Sequence, residues 1–148
     1  AVALPDAKAA AEVIARATES GARSLTFVET EHSQPTRLNP ERIERVTTAA
    51  RRQCGRLDPL PVHGPLPLHT WLESPRTGFV ASLAPGGVRA RPEGPVDVLI
   101  GPEGGLHPDE ERRALACGLA PLSLGPYILR TEVALTAAVA VVGTISSP

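Results

Sequence analysis

Methionine is absent from the 148 residues, even at position 1, as in a processed start or a fragment of a longer chain. Cysteine occurs twice, at Cys54 and Cys117. Two cysteines cannot form a disulfide-dense scaffold, and no close Cys/His cluster suggests a structural zinc, so no metal is expected. Aromatic residues are scarce: one Trp, one Tyr and two Phe. That argues against a general single-strand binder, which stacks bases on a series of rings. Net charge is nearly absent as well, at -1. A protein that grips nucleic acid by bulk positive charge is disfavoured, although a local basic patch remains open. Long apolar runs are missing too. The longest, residues 133–142, is interrupted by Thr136 and is too short for a membrane span. Asp6, Lys8 and Glu12 break the apolar core that a secretion signal needs. A cytoplasmic protein with no membrane partner is the expectation.

The chain has the length of one ordinary domain, and its 42% hydrophobic and 21% charged residues are normal for a globular core and surface. A helix is expected over 6–20, with Val13, Ile14 and Ala17 as its apolar stripe and Gly21 at its C-terminal cap. Residues 24–29 read as a strand and 30–38 as a polar loop. Asn39-Pro40 is a strong helix start, because Asn caps free amides and Pro gives up no internal hydrogen bond there; that helix should run to Cys54. Short elements follow: a strand at 60–62, a helix at 68–73 and a strand at 79–83. Residues 84–95, rich in Gly and Pro, read as a loop. Then come a strand at 96–100, a helix at 108–117 stopped by Gly118, a strand at 121–124, a turn at 125–130 and a helix at 132–143 capped by Thr131. Strands alternating with helices predict an α/β domain with a mostly parallel sheet and helices on both faces.

Two glycine-containing loops follow strands near the C-terminus. In a parallel sheet both would lie at one edge, where ligands commonly bind. Gly104 and Gly105 allow a tight turn or the close approach of a flat ligand; ordinary turns are the alternative. Neither loop has the G-x-G-x-x-G or Gly-rich Lys-Ser/Thr pattern, so dinucleotides and nucleoside triphosphates are disfavoured.

Residues 100–105 read Ile-Gly-Pro-Glu-Gly-Gly, 122–125 Leu-Ser-Leu-Gly, and 128–132 Ile-Leu-Arg-Thr-Glu. Upstream stand Ala-Thr-Glu-Ser-Gly at 17–21, His32-Ser33, and Gln-Cys-Gly-Arg at 53–56. This ordered set, spanning nearly the whole chain, resembles the SPOUT-class RNA methyltransferases. The best match is the family that methylates N3 of a uridine in small-subunit (16S) ribosomal RNA. The resemblance implies a SPOUT-like α/β domain over residues 1–148, with a deep C-terminal trefoil knot. It implies S-adenosylmethionine bound by Leu99, Ile100, Gly101, Pro102, Glu103, Gly104 and Gly105 on one side. Leu122, Ser123, Leu124, Gly125, Tyr127, Ile128 and Leu129 would hold it on the other. The RNA contacts would be His32, Ser33, Arg52, Gln53 and Arg56, and the partner small-subunit ribosomal RNA or the assembled small subunit. It also implies a homodimer, for which the alanine-rich last helix is a candidate interface; a buried core helix is the alternative.

The chain departs from the family pattern in several places. The family's N-terminal PUA-like RNA-binding domain is absent from these residues, which bears on RNA recruitment more than on cofactor binding. Tyr127 stands where a basic residue is usual, Val133 where Thr is usual, and Cys54 where Ser is usual. These departures keep two alternatives open: a weakly active or inactive RNA-binding remnant, and a methyltransferase acting on another RNA.

Methyl transfer from a sulfonium needs alignment and electrostatics, not a metal. Uridine N3 must lose its proton, and the negative charge that develops spreads onto O2 and O4. Arg130 is the leading catalytic candidate, because a guanidinium can meet that charge with directed hydrogen bonds; an ion pair with a neighbouring acid is the alternative. Glu132 could orient Arg130 or bind the amides of its own helix turn, with a general base as the weaker alternative. Glu103 could fix the loop through backbone amides, or touch the cofactor or the partner subunit. Arg56 could meet RNA or form a surface salt bridge. His32 could reach the site or stay at the surface. Arg37, Arg42, Arg45, Arg51, Arg52 and Arg56 form the main basic concentration, suited to phosphates if the helix is exposed.

Overall fold

Apolar stretches broken by amphipathic helices leave each strand a crossover away from the next, which is the condition for parallel pairing. The computed structural model describes residues 1–83 and 94–144; most of the loop expected at 84–95 lies outside the described residues. In chain order the elements are β1 (Val2–Ala3), α1 (Ala7–Glu19), β2 (Leu25–Glu29), α2 (Pro40–Cys54), β3 (Val62–Pro67), α3 (Leu68–Trp71), β4 (Gly78–Ala81), β5 (Asp97–Leu99), α4 (Pro108–Ala116), β6 (Leu119–Leu122) and α5 (Thr131–Thr144). The strands form two ladders, β1-β2-β3 and β5-β4-β6, in which every pairing is parallel. A parallel bridge between Val2 and Ile100 joins them. Ala3 N donates to Ile100 O at 2.8 Å, and Ile100 N donates to Ala1 O at 3.0 Å. The strands therefore lie in the order β3-β2-β1-β5-β4-β6.

Alternate strand residues face opposite layers. Leu25, Phe27, Phe79 and Ile100 pack with Val13, Ile14 and Ala17 of α1 and with Ala134, Leu135 and Ala138 of α5. Val28, Val80 and Leu99 pack on the other face with Leu68 and Trp71 of α3 and Ala114 of α4. Helices cover both faces, as the alternation of elements predicts. Asp6 caps α1 by accepting from Lys8 N at 2.7 Å and Ala9 N at 2.9 Å. Asn39 caps α2 through Arg42 N at 3.2 Å, and Gly55, with φ 74°, ends it. The Asn39 cap follows the expectation from the sequence, whereas Asp6, expected as the first residue of its helix, is the cap before it.

Several boundaries differ from the expectation, among them β3, which runs over Val62–Pro67 and not 60–62, and β4, which ends at Ala81 and not at 83. The two-residue strand β1 was not foreseen, because four apolar residues before Pro5 show no period; pairing on both sides makes it a strand, with Val2, Ala3 and Leu4 each 1% exposed. β6 begins at Leu119, directly after the Gly118 turn, two residues earlier than expected. Thr131 is the first residue of α5 and not the cap before it.

Phe27 is fully buried between α1 and the sheet. Phe27→Ala should cost about 3–5 kcal/mol of stability in urea unfolding. A loss near zero would mean that this face of the sheet is not the packed one.

Candidate functional site

The ends of β4, β5 and β6 emerge at one edge of the sheet, the C-terminal edge, where crevices form in open α/β folds. A cleft of about 390 Å³ opens there. Its walls are residues 100–106 after β5, Leu124, Gly125 and Tyr127 to Leu129 after β6, Ala81 to Leu83 after β4, and Glu111 and Ala134 from the helices. Of the residues expected to hold a cofactor, Ile100, Gly101, Pro102, Glu103, Gly104 and Gly105 line it from one side. Leu124, Gly125, Tyr127, Ile128 and Leu129 line it from the other. Leu99 and Leu122 are buried in the sheet behind it, and Ser123 is not among the lining residues. Sequence reasoning missed Ala81, Ser82, Leu83, Leu106, Glu111 and Ala134. The expected strand over 79–83 carried a usable signal, since its end must lie at the same edge as the two loops. Ser82 Oγ donates to Glu111 Oε1 at 2.8 Å and so fastens this third wall to α4.

The glycine loop is tightly built. Gly105 N donates back to Pro102 O at 2.8 Å, and Gly105 has a φ of 77°. The loop after β2 docks against it: the His32 ring lies beside Gly104, and its Nδ1 donates to Gly105 O at 2.9 Å. The next contacts extend this docking to α4. Glu31 N donates to Glu110 Oε1 at 3.0 Å, while Glu110 Oε2 accepts from His107 N at 2.9 Å. His107 Nδ1 accepts from Asp109 N at 3.2 Å, so this histidine is a helix cap. Ser33 spends its hydroxyl locally, accepting from Thr30 N at 3.0 Å.

Glu103 leaves the loop toward α5. Its Oε1 accepts from the Thr131 hydroxyl at 2.9 Å and from Thr131 N at 3.3 Å, closing the first turn of the helix. Partial burial alone would raise its pKa. Hydrogen bonds from its own amide and from the Thr131 hydroxyl and amide outweigh that, leaving it below the usual 4.5. Arg130 and Glu132 do not line the cleft. They lie on the far side of Glu103, in a broad hollow beside α1 that Glu103 also borders. Arg130 is exposed and makes no ion pair among the described residues, so neither its pairing with a neighbouring acid nor its orientation by Glu132 is present.

Arg52, Gln53 and Arg56 are not brought to the cleft. Helices in a parallel sheet run back against the strands, so the C-terminal ends of α1 and α2 sit at the opposite edge. Arg52 and Gln53 are exposed there. Arg56 is held instead: Nη1 donates to Ala22 O at 2.9 Å and Thr18 O at 3.4 Å, and Nη2 meets Asp58 Oδ2 at 2.7 Å. Its guanidinium ties the end of α2 to the end of α1. Glu19 pairs with Arg16 of its own helix at 2.8 Å. Among the described residues no helix is long and apolar enough to cross a membrane.

A family model for the RNA methyltransferase domain matches residues 1–143. The chain is 31% identical over 158 aligned positions to ribosomal RNA small subunit methyltransferase E of Synechocystis sp., covering 98% of this chain and 52% of that protein. The corresponding enzyme of Buchnera aphidicola is 28% identical over 144 positions, covering 89% of this chain and 57% of that one. The chain thus spans about half the length of these curated relatives. In structure it is similar to the Neisseria gonorrhoeae ribosomal RNA small subunit methyltransferase E bound to S-adenosyl methionine. The TM-score is 0.81 at 25% identity, covering 97% of this chain and 64% of the other. These findings bear out the resemblance read from the motifs.

The two adjacent glycines should respond differently to substitution. At Gly105 there is open space but a positive φ, so Gly105→Ala should cost about 1 kcal/mol in urea unfolding. At Gly104 a Cβ would meet His32 Cβ and Cγ at ordinary contact distances of 3.5 and 3.6 Å, so Gly104→Ala should cost distinctly less. Equal losses would contradict this loop geometry.

Proposed function

The chain belongs to the RNA methyltransferase domain family, and on that premise we propose that it transfers a methyl group from S-adenosylmethionine to N3 of a uridine in small-subunit (16S) ribosomal RNA. The observation that carries this reading is the convergence of residues 100–106 and 124–129 on one cleft at the C-terminal edge of the sheet. The cleft suits the cofactor. Its volume falls in the usual range for small-molecule sites, about 300–1,000 Å³. Leu106, Leu124, Ile128, Leu129 and Ala134 offer apolar surface for a flat purine, and the glycine loop lets backbone groups approach closely. Backbone groups of residues 99–105 and 122–129 would hold the cofactor from both sides, with the buried Leu99 and Leu122 supporting the walls.

When bound, the cofactor supplies a methyl carbon on a positively charged sulfur. The chain's part is to orient the uridine and to stabilise it as N3 loses its proton. Arg130, exposed and free of ion pairs among the described residues, can direct its guanidinium at O2 and O4, where the negative charge develops. A hydrogen bond of this kind strengthens as the charge grows, so it favours the transition state over the bound substrate.

The same reading includes a second copy of the chain. α5 is apolar on both sides: Ala134, Leu135, Ala138 and Val142 face the core, while Val133 and Val141 are exposed. Tyr127 and Ile128, 77% and 69% exposed, stand just before this helix. A homodimer covering these residues fits better than a solvated helix with an apolar outer side. A homodimer also gives a role to Arg52 and Gln53, which are remote from their own cleft: RNA crossing both subunits would meet them along with His32. The C-terminal trefoil knot belongs to this proposal too, supported by the way residues 124–130 run alongside the glycine loop before α5 packs against α1.

The test is incubation of the chain with unmodified small subunits and methyl-labelled cofactor, followed by mapping of the label. The reading predicts N3-methyluridine in the 16S RNA. Label on another base or only on transfer RNA would overturn the substrate. Arg130→Ala should lower turnover at least about tenfold while changing cofactor affinity little, as expected for a group that engages the transition state; matched losses in folding and cofactor affinity would instead mark Arg130 as structural.

A further inference from the structure

Glu103 occupies a singular place. Its backbone belongs to the loop that walls the cleft, and its side chain belongs, by hydrogen bonding, to the start of α5. It also borders the hollow that contains Arg130 and Glu132. The residue it binds, Thr131, is 1% exposed and follows Arg130 directly in the chain. Arg130 O accepts from Ala134 N at 2.8 Å and so forms part of the same helical turn. The loop itself is held from its other side, where His32 Nδ1 donates to Gly105 O. Displacing the loop therefore strains two contacts, one to the β2 loop and one to the turn that carries Arg130.

We infer that Glu103 is a positioning residue: its double hydrogen bond to Thr131 couples the cofactor loop to the backbone that aims Arg130. This rests on the methyltransferase reading above and deepens it. With the cofactor seated, the loop is fixed, Glu103 fixes Thr131, and the turn from Arg130 to Ala134 is held so that the guanidinium faces the uridine. Without that bond the cofactor still finds its walls, but Arg130 samples orientations that do not meet O2 and O4. The carboxylate suits this task better than a neutral acceptor in one respect. As an anion at a helix N-terminus it is favoured by the unpaired amides of the first turn. Its geometry is the main requirement, because one oxygen accepts both Thr131 bonds. Glutamine keeps such an oxygen and alanine does not.

The experiment compares the 148-residue chain with Glu103→Gln, Glu103→Ala and Arg130→Ala variants and the Glu103→Ala/Arg130→Ala double variant. The readouts are calorimetric affinity for S-adenosylmethionine, kcat and KM for methyl transfer to unmodified small subunits, and amide hydrogen exchange over 131–134. Glu103→Ala should lower kcat about tenfold, the scale of one lost charge-assisted hydrogen bond, while cofactor Kd stays within about threefold. Glu103→Gln should recover most of kcat. Glu103→Ala should slow the Arg130→Ala enzyme little further, because both changes remove the same interaction. Exchange at 131–134 should quicken in Glu103→Ala even without ligand, and the added protection on cofactor binding should be lost.

Four results would overturn the inference. They are wild-type kcat in Glu103→Ala, a loss of cofactor affinity as large as the loss of kcat, fully additive losses in the double variant, and unchanged exchange at 131–134. The exchange measurement needs no turnover. A wild-type chain that binds cofactor but methylates no uridine therefore refutes the functional reading, while exchange still decides whether Glu103 couples the loop to the helix.

Discussion

Everything at the site depends on one seam in the sheet, where β1 meets the end of β5. Two three-stranded ladders would each present only a narrow edge. The bridge between Val2 and Ile100 makes them continuous, with Ala3 N, Ile100 N and the backbone nitrogen of Ala1 all bonded across it. Ile100 is the last residue before the glycine loop. The seam therefore fixes where that loop starts and turns, and β1 is followed by Leu4, whose carbonyl accepts from Gln34 N of the loop after β2 at 3.2 Å. The motifs containing His32 and Gly104 meet because they follow β2 and β5, the two strands that flank β1.

From this seam outward, the site is assembled by short polar contacts between loops that are far apart in sequence. His32 reaches Gly105, Glu31 reaches Glu110, Ser82 reaches Glu111, and Glu103 reaches Thr131. None needs to be strong, since each orders a loop already restrained at both ends by a strand or helix. A bond to a partly exposed group contributes little alone. Acting on the same few residues, these bonds hold the cleft's walls at a fixed separation, which preorganised catalysis requires. The glycines complete the arrangement in different ways: Gly105 supplies a backbone angle, and Gly104 leaves contact room for a histidine ring.

Much of this was legible in the sequence. Asn39-Pro40 marks a helix start by local chemistry, and the structure uses it. The two glycine loops could be placed at one edge of the sheet from the alternation of strands and helices alone. What could not be read was whatever depends on tertiary pairing. β1 is a strand only because neighbours flank it. The wall after β4 joins the cleft only because β4 lies between β5 and β6. Arg56 sits in a motif that resembles an RNA-contact signature, yet its partners are the carbonyls of Thr18 and Ala22, about which the local sequence says nothing. Thr131 has the chemistry of a helix cap, but Glu103, 28 residues earlier, does the capping. Long-range polar contacts of this kind have no periodicity and no local spacing to reveal them.

The central claim is that the ends of β4, β5 and β6 in this chain form a complete cofactor site. Calorimetric titration of the folded 148-residue chain with S-adenosylmethionine tests it most directly. The account predicts saturable binding at one site per chain, weakened by Gly105→Ala. A folded chain that shows no binding at millimolar cofactor would contradict it.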